Sequence, residues 1–234
     1  MVQAPFAVKT LLDSSTGLEI RGAHAAPASL NQSRAFSRIF KAALDYCLII
    51  PSLLLLSPLL ITIAFLIKLD SPGPVIHRRR VLGLDGRQFD AFKFRTMFVN
   101  GDEILEQYPR LKNELEKNYK LKFDPRVTRI GHFLRKYSLD ELPQLLNIAK
   151  QEMSLIGPRI ITPEELKKYG QWGDTLLTVM PGLSGLWQVS GRSNTSYDRR
   201  ISYDMAYIHN WSLWLDVKII FMTVPAVLKG DGAY

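Results

Sequence analysis

One uncharged, strongly apolar run limits what this chain can fold into. Residues 48–67 are twenty residues without a charged side chain, and the nearest basic residues are Lys41 before them and Lys68 after them. A helix of this length spans about 30 Å, which is the thickness of the hydrocarbon core of a bilayer. The run is therefore long enough to form a membrane helix.

Two features of the run argue against a simple spanning helix. Pro51 and the pair Ser57-Pro58 interrupt it, and a break at Ser57-Pro58 leaves two halves of about 15 Å each. Basic residues also flank both ends, which favours the cytoplasm for both. A helix that enters the membrane, bends at Ser57-Pro58 and returns satisfies both features, with Ser57 bonding a carbonyl that Pro58 leaves free. Proline-kinked spanning helices also exist, so the residues alone leave both arrangements open.

The apolar run divides the chain into three predicted regions. Residues 1–33 contain Ala, Ser, Gly and Pro without a period and are expected to form a flexible leader. Residues 34–69 form the membrane anchor, and residues 70–234 form one domain. The net charge of +8 indicates an anionic partner such as lipid, a phosphorylated substrate or nucleic acid. The single cysteine, Cys47, excludes a disulfide framework and suits a reducing compartment.

The domain is predicted to be mixed α/β and mainly helical. Residues 75–82 and 88–94 are typical of two strands joined by a hairpin at Asp85-Gly86. Residues 101–119 have helical spacing, with Pro109 kinking or splitting the helix. Residues 210–228 combine two tryptophans with an apolar stripe, which fits an interfacial helix beside the anchor or, equally, a core helix.

Two adjacent carboxylates, Asp140 and Glu141, lie where another helix is expected to begin. Ser138 and Glu141 have the spacing of a capping box, and Pro143 is tolerated only in a first helical turn. The positive end of the helix dipole would keep Asp140 ionised at neutral pH. First-turn acids are common, so any chemistry depends on what surrounds the pair.

Several basic side chains are candidates to face these acids. Lys93 and Arg95 share one face of the second predicted strand, although such a face can also be solvated. Arg135 precedes the acids, Arg159 ends a Gly-Pro-Arg turn, and Arg192 ends a glycine-punctuated loop or short strand. Arginine is suited to binding phosphate through two hydrogen bonds, but each turn alone is also compatible with an ordinary surface turn.

Other active-site plans lack their motifs. The four histidines have no HExxH or Cys/His spacing for zinc, and P-loop, dinucleotide and nucleophile-elbow patterns are absent from the sequence. No recognised nucleic-acid motif occurs, so nucleic acid is not an expected partner. Acids and arginines beside a membrane instead indicate phosphate chemistry on a lipid, in which a carboxylate attacks phosphorus and cations neutralise the phosphate oxygens.

Several short motifs follow one another in a fixed order. They are Ser57-Pro58, Leu69-Asp70-Ser71-Pro72-Gly73-Pro74-Val75, Lys93-Phe94-Arg95-Thr96-Met97, Asp124-Pro125-Arg126-Val127-Thr128-Arg129-Ile130-Gly131, Ser138-Leu139-Asp140-Glu141-Leu142-Pro143-Gln144, Gly157-Pro158-Arg159 and the stretches 181–192 and 230–234. Over residues 34–234 this order closely resembles the bacterial sugar transferases, the monotopic phosphoglycosyl transferases. One departure is Ile160, where the family usually has a second proline, and this puts the rigidity of the Gly-Pro-Arg loop in doubt.

The resemblance implies a reaction and its partners. A hexose 1-phosphate would pass from a UDP-sugar to polyprenyl (undecaprenyl) phosphate with release of UMP, as the initiating step of exopolysaccharide or other glycoconjugate synthesis. The similarity is greater to the hexose 1-phosphate transferases than to those using acetamido sugars, so glucose or galactose is expected. The implied location is the cytoplasmic face of the bacterial inner membrane, and a homo-oligomer is compatible with the sequence.

The resemblance also implies roles for individual residues. Asp140 would be the nucleophile and a ligand of Mg²⁺, while Glu141 would assist, either by orienting groups of the site or by taking the proton of the lipid. Ser57 and Pro58 would form the break of a re-entrant helix. Phosphate and nucleotide would contact five basic residues, namely Lys93, Arg95, Arg135, Arg159 and Arg192.

A protein without enzymatic activity is the alternative from another class. A membrane-anchored module could bind anionic lipid through its basic residues, and a single-pass regulatory protein is a third reading. Only the enzyme predicts UMP from a UDP-sugar, polyprenyl phosphate and Mg²⁺.

Overall fold

A single long helix occupies the first part of the described chain. The computed structural model describes residues 28–118, 121, 123–190 and 196–229, with the side chains of 28–38, 116–118, 228 and 229 left out, so most of the predicted leader lies outside it. Helix α1, Ala28–Asp70, contains the predicted anchor. Its segment Ile39–Asp70 has a mean hydropathy of 2.4 and is long and apolar enough to cross a membrane.

Helix α1 continues through both of its prolines, Pro51 and Pro58. Proline at position 58 has no N–H to offer the carbonyl of Leu54, four residues earlier. Ser57 Oγ donates to that carbonyl at 2.8 Å, which confirms the predicted compensation. The bend that would return the helix to the cytoplasm stays a prediction.

One face of α1 packs against the rest of the protein along most of its length. Ile49 lies in an apolar cluster with strand residues, and Ile63 and Ile67 lie in a second cluster further along. Near the beginning of this contact Asp45 accepts a hydrogen bond from Ser154 Oγ at 2.7 Å. The opposite face of α1 is apolar and exposed, as at Leu54, Leu55, Ile61 and Phe65.

The far end of α1 is also attached to the domain. Asp70 Oδ2 accepts a hydrogen bond from the backbone N–H of Ile130 at 3.0 Å. Residues next to both ends of the apolar run 48–67 therefore contact the same body of protein.

An antiparallel hairpin follows α1. Strands β1, Ile76–Leu82, and β2, Gln88–Phe94, pair from Ile76 opposite Phe94 to Leu82 opposite Gln88. A 3₁₀ turn, Leu84–Gly86, joins them, with Asp85 at φ 55° and Gly86 at φ 74°. Asp-Gly is suited to these left-handed positions, and the predicted hairpin is confirmed.

Three helices follow the hairpin. Pro109 splits the predicted helix into α2, Gly101–Glu106, and α3, Pro109–Asn118, as expected. Helix α4, Arg129–Lys136, begins at Thr128, whose hydroxyl accepts the N–H of Gly131. A Cβ on Gly131 would lie 2.1 Å from the carbonyl oxygen of Thr96, so glycine allows α4 to approach the end of β2.

The acid pair leads into a small parallel sheet that the sequence did not predict. A 3₁₀ helix, Leu139–Gln144, carries both acids and continues into α5, Leu145–Ala149. Strand β3, Ser154–Ile156, then pairs in parallel with β4, Gly182–Ser184. The connection between β3 and β4 contains α6, Pro163–Leu166, a 3₁₀ helix, Lys167–Trp172, and α7, Gly173–Leu176.

Three further helices complete the described chain. They are α8, Leu186–Ser190, α9, Tyr197–His209, and α10, Leu213–Lys229. One face of α10 is buried at Leu215 and Ile219, while Trp214 and Phe221 on the same helix are exposed. Helix α10 therefore has both a core face and an exposed apolar face, so the two readings of this segment are not exclusive. The fold is mainly helical with a small hairpin, as predicted.

Candidate active site

The backbone before the acid pair is unusual. Ser138 has φ 55°, in the left-handed region, and its side chain makes no capping hydrogen bond. The predicted capping box is therefore wrong. The capping box does not form because the Glu141 carboxylate instead binds cations from distant parts of the chain.

Glu141 is held between two cations. Its Oε1 accepts a hydrogen bond from Lys93 Nζ at 2.6 Å and another from Arg159 Nη2 at 2.9 Å. Only 15% of its side chain is exposed. Burial alone would raise the pKa of Glu141, but the charges of Arg159 and Lys93 outweigh burial and lower this pKa to about 2. Glu141 is therefore ionised at all physiological pH values.

The pKa of Asp140 is shifted in the opposite direction from that of Glu141. Among the described residues its closest cation is Lys93 Nζ, 3.9 Å from Oδ2, and its carboxylate accepts no hydrogen bond from them. Burial, followed by the adjacent negative charge of Glu141, raises the pKa of Asp140 to about 6. Asp140 is mostly ionised at pH 7, as predicted, but the helix dipole does not govern its pKa.

Lys93 and Arg159 reach the acids from different elements. Lys93 lies near the end of β2, and its side chain is 16% exposed, so the solvated-strand alternative is wrong for it. Arg159 follows β3 and forms a parallel bridge with Gly182. A Cβ at Gly157 would lie 2.6 Å from the carbonyl oxygen of Met180, so the turn that carries Arg159 requires a glycine. Arg159 is therefore held in place despite Ile160.

The remaining predicted basic residues differ in position. Arg135 is near enough to Asp140 for their charges to interact, and its Nε donates to Thr96 Oγ1 at 2.9 Å. Burial lowers the pKa of Arg135, while the charge of Asp140 opposes that change. Arg95 corrects the prediction, because its buried guanidinium donates to the carbonyls of Ser71 and Pro72 instead of the acids. Arg192 lies outside the described residues.

Asn147 supports the site, and the sequence reasoning missed it. This residue is 0% exposed, and its Oδ1 accepts the N–H of Phe92 at 3.0 Å while Nδ2 donates to the carbonyl of Asp90 at 2.8 Å. These bonds fix β2, and hence Lys93, beside the helix that follows the acids. A polar residue inside the apolar run 145–148 was the available signal.

The side chains at this site can bind a metal ion only together with oxygen atoms of a bound substrate. Among the residues that the structure describes, no group of three or more His, Cys, Asp or Glu side chains could hold an ion. Mg²⁺ commonly binds one or two carboxylates together with substrate phosphates. Asp140 accepts no hydrogen bond within the described chain, so its carboxylate fits such a shared site.

The arrangement is suited to attack on an anionic phosphate. One carboxylate is neutralised by two cations, and its neighbour has oxygen atoms free of hydrogen bonds from the described residues. Cations beside a nucleophile lower the cost of bringing two negative groups together.

Comparison with known proteins gives a consistent assignment. A family model described as "Bacterial sugar transferase" matches residues 36–230. The chain is 46% identical over 210 residues to a UDP-galactose-lipid carrier transferase of Erwinia amylovora, covering 88% of this chain and 44% of that protein.

Two further relatives differ in how much of their length is matched. The exopolysaccharide production protein ExoY of Rhizobium meliloti is 42% identical over 212 residues, which cover 89% of this chain and 94% of ExoY. A UDP-glucose:undecaprenyl-phosphate glucose-1-phosphate transferase of Escherichia coli is 37% identical over 225 residues, covering 92% of this chain and 46% of that protein. The chain thus spans less than half the length of the Erwinia and Escherichia relatives.

Proposed function

Because the chain belongs to the bacterial sugar transferase family, we propose that it transfers a hexose 1-phosphate from a UDP-sugar to polyprenyl phosphate, such as undecaprenyl phosphate. UMP is released, and the lipid-linked sugar diphosphate starts exopolysaccharide or related glycoconjugate synthesis. The names of the Erwinia and Escherichia relatives support UDP-galactose or UDP-glucose as the donor. The observation that carries this proposal is the difference in pairing between the two acids: Glu141 accepts hydrogen bonds from two cations, whereas Asp140 accepts none from the described residues.

The first step is attack by Asp140 on the phosphorus that bears the sugar. An Oδ–P bond forms, the P–O bond to UMP breaks, and UMP leaves with the bridging oxygen. This gives an acyl phosphate on Asp140. In the second step an oxygen of the lipid phosphate, in its dianionic form, attacks the same phosphorus and the Oδ–P bond breaks, which forms the diphosphate and restores the Asp140 carboxylate.

Asp140 is better placed than Glu141 to be the nucleophile. Its pKa of about 6 leaves it ionised at pH 7 but less stabilised as an anion than an ordinary Asp. Glu141 is bound by two cations, and its pKa of about 2 makes it a weak nucleophile. The low pKa of Glu141 also makes it a poor base for the lipid's proton. Of the two roles that the resemblance leaves open, we assign Glu141 the orientation of Lys93 and Arg159.

The cations act on the phosphate oxygens. Lys93 lies within 3.9 Å of both carboxylates, and Arg159 and Arg135 interact electrostatically with Asp140. These three residues are positioned to receive the negative charge of the attacked phosphate. Arg192 remains a further candidate from the sequence.

Mg²⁺ is proposed to bind through Asp140 and the substrate phosphates. When bound, the ion would shield the charge of the diphosphate and stabilise the departing UMP.

The protein is proposed to lie on the cytoplasmic face of the inner membrane. Helix α1 contacts the domain near both ends of its apolar run, at Asp45 and Asp70, and exposes an apolar face between them. These contacts support an anchor that stays beside its domain, as the re-entrant arrangement requires. They disfavour a single-pass helix, one end of which would lie across the membrane from the domain.

The experiment is an assay of the full chain in lipid nanodiscs. It combines UDP-glucose or UDP-galactose with undecaprenyl phosphate and Mg²⁺, and it measures UMP. UMP release that depends on the lipid supports the enzyme. Binding of the chain to anionic vesicles, with no UMP from any UDP-hexose tested, would instead favour the lipid-binding module.

A further inference from the structure

A second arginine lies one aromatic ring away from the acid site. Arg159, which bonds Glu141, has its Cζ 5.7 Å from the ring centroid of Trp187. Arg200 on α9 has its Cζ 5.1 Å from the same centroid. Trp187 therefore connects Arg200 to the cations around Asp140.

The described residues leave several buried hydrogen-bond donors at this ring without partners. The Arg200 side chain is only 12% exposed, and its Nε and Nη2 have no hydrogen-bond partner among the described residues. The same holds for Nε1 of Trp187. Unpaired buried donors are costly, most of all on a charged group, so their presence requires an explanation.

The neighbouring Asp204 does not satisfy Arg200. The distance from Arg200 Nε to Asp204 Oδ2 is 3.9 Å, too long for a hydrogen bond. Asp204 Oδ2 instead accepts the hydroxyl of Tyr169 at 2.7 Å, and Oδ1 has no partner within the described chain. Burial raises the pKa of Asp204 to about 7, so its negative charge is only partial at neutral pH. A structural ion pair thus leaves most of the donor capacity of Arg200 unused.

We propose that Arg200 and the indole N–H of Trp187 bind the phosphate of the departing nucleotide. The proposal rests on the proposed function and extends its substrate site. Three donor nitrogens without an acceptor among the described residues match a ligand rich in acceptor oxygens, and a guanidinium is well suited to phosphate. A UDP-sugar carries two phosphates, and Asp140 attacks the one that bears the sugar. The Trp187 ring lies beside both Arg159 and Arg200. When the phosphate that bears the sugar lies at Asp140 and Arg159, the second phosphate, which leaves in UMP, can therefore contact Arg200.

The test measures the steady-state kinetics of Arg200→Gln and of the wild type toward UDP-sugar and toward undecaprenyl phosphate. Loss of a charge-assisted hydrogen bond is expected to raise the KM for UDP-sugar and the inhibition constant of UMP by about tenfold or more. The KM for undecaprenyl phosphate should not change. Arg199→Gln is the matched control, because it removes the same charge from an exposed position on the same helix and should behave as wild type.

Two conservative variants separate binding from folding. Trp187→Phe keeps the ring and removes one N–H donor, so it should raise the same two constants by a smaller factor. Arg200→Lys keeps the charge and should restore part of the UMP affinity. Unchanged UDP-sugar KM and UMP inhibition in Arg200→Gln and Trp187→Phe would overturn the proposal, as would an increase confined to the lipid KM. Absence of UMP release by the wild-type enzyme would instead refute the proposed function.

Discussion

At the scale of single residues, Lys93 and Arg159 share one oxygen atom, Glu141 Oε1, and leave Asp140 with a looser pairing. Two neighbouring carboxylates thus acquire pKa values of about 6 and about 2. Of the residues predicted from the sequence motifs, the structure brings together both acids and three of the five basic residues, namely Lys93, Arg135 and Arg159. The cap spacing at Ser138 misled because local sequence carries no information about cations 18 and 48 residues away.

The raised pKa of Asp140 predicts a pH dependence of the first step. Only the ionised carboxylate attacks phosphorus or binds Mg²⁺, so at Mg²⁺ concentrations too low to saturate the site adduct formation should fall below pH 6 and reach about one tenth of its maximum at pH 5. The measurement is rapid-quench adduct formation with UDP-glucose and limiting Mg²⁺ between pH 4.5 and 8. A rate that stays constant down to pH 4.5 would show that Asp140 has an ordinary pKa or is not the nucleophile.

Glu141→Gln should weaken the fold more than removal of a first-turn acid would. Lys93 and Arg159 would lose their shared partner, and breaking such a buried pair costs about 3 kcal/mol. Because the pKa of Glu141 is lowered, its stabilising contribution is present above its unfolded pKa of 4.5 and is lost as the pH falls toward about 2. Chemical denaturation at pH 7 measures the difference, with Glu164→Gln, an exposed acid, as the control. Equal unfolding free energies for the two variants would contradict the ion-pair account.

At the scale of elements, the sequence predicted those features that depend on the backbone preferences of neighbouring residues. The Asp85-Gly86 hairpin and the split at Pro109 follow from backbone preferences of a few residues. The parallel pair β3 and β4 has three residues in each strand and joins segments 28 residues apart. Strands so short carry no period, so the sequence did not predict the sheet that positions Arg159.

That sheet gives a prediction for Gly157. Gly157→Ala would place a methyl group against the backbone of Met180 and Gly182, at distances of 2.6 and 2.8 Å. The strands must separate, which should displace Arg159 and lower both the melting temperature and the rate of UMP release. Gly173→Ala is the control, because Gly173 has helical φ and its Cβ would meet only Leu166 at ordinary contact distance. A Gly157→Ala protein with wild-type stability and rate would show that the close approach is not required.

At the scale of the whole molecule, the position of α1 connects the site to the membrane. The helix rests on the domain through two apolar clusters, and its exposed face and that of α10 are both apolar. The twenty-residue run predicted a membrane helix from composition alone. Its docking along the domain could not be predicted, because it depends on which core residues the folded domain presents.

A monotopic arrangement predicts that both ends of α1 face the cytoplasm. In a background with Cys47 replaced by serine, single cysteines at Ser37 and at Asp85 should both resist a membrane-impermeant maleimide in intact cells. Both should react once the cells are opened. Labelling of the residue-37 cysteine, but not the residue-85 cysteine, in intact cells would indicate a helix that crosses the membrane.

The most direct measurement is the mass of the peptide that contains Asp140 after a short incubation with UDP-glucose or UDP-galactose and Mg²⁺, without lipid acceptor. The account predicts that tryptic peptide 137–150 gains the mass of a hexose phosphate, that fragmentation places it on Asp140, and that undecaprenyl phosphate removes it. Asp140→Asn should carry no adduct yet remain folded, since burial and Glu141 disfavour the charge that the variant lacks. Wild-type amounts of adduct on Asp140→Asn, or UMP release with no adduct on this peptide, would contradict the account.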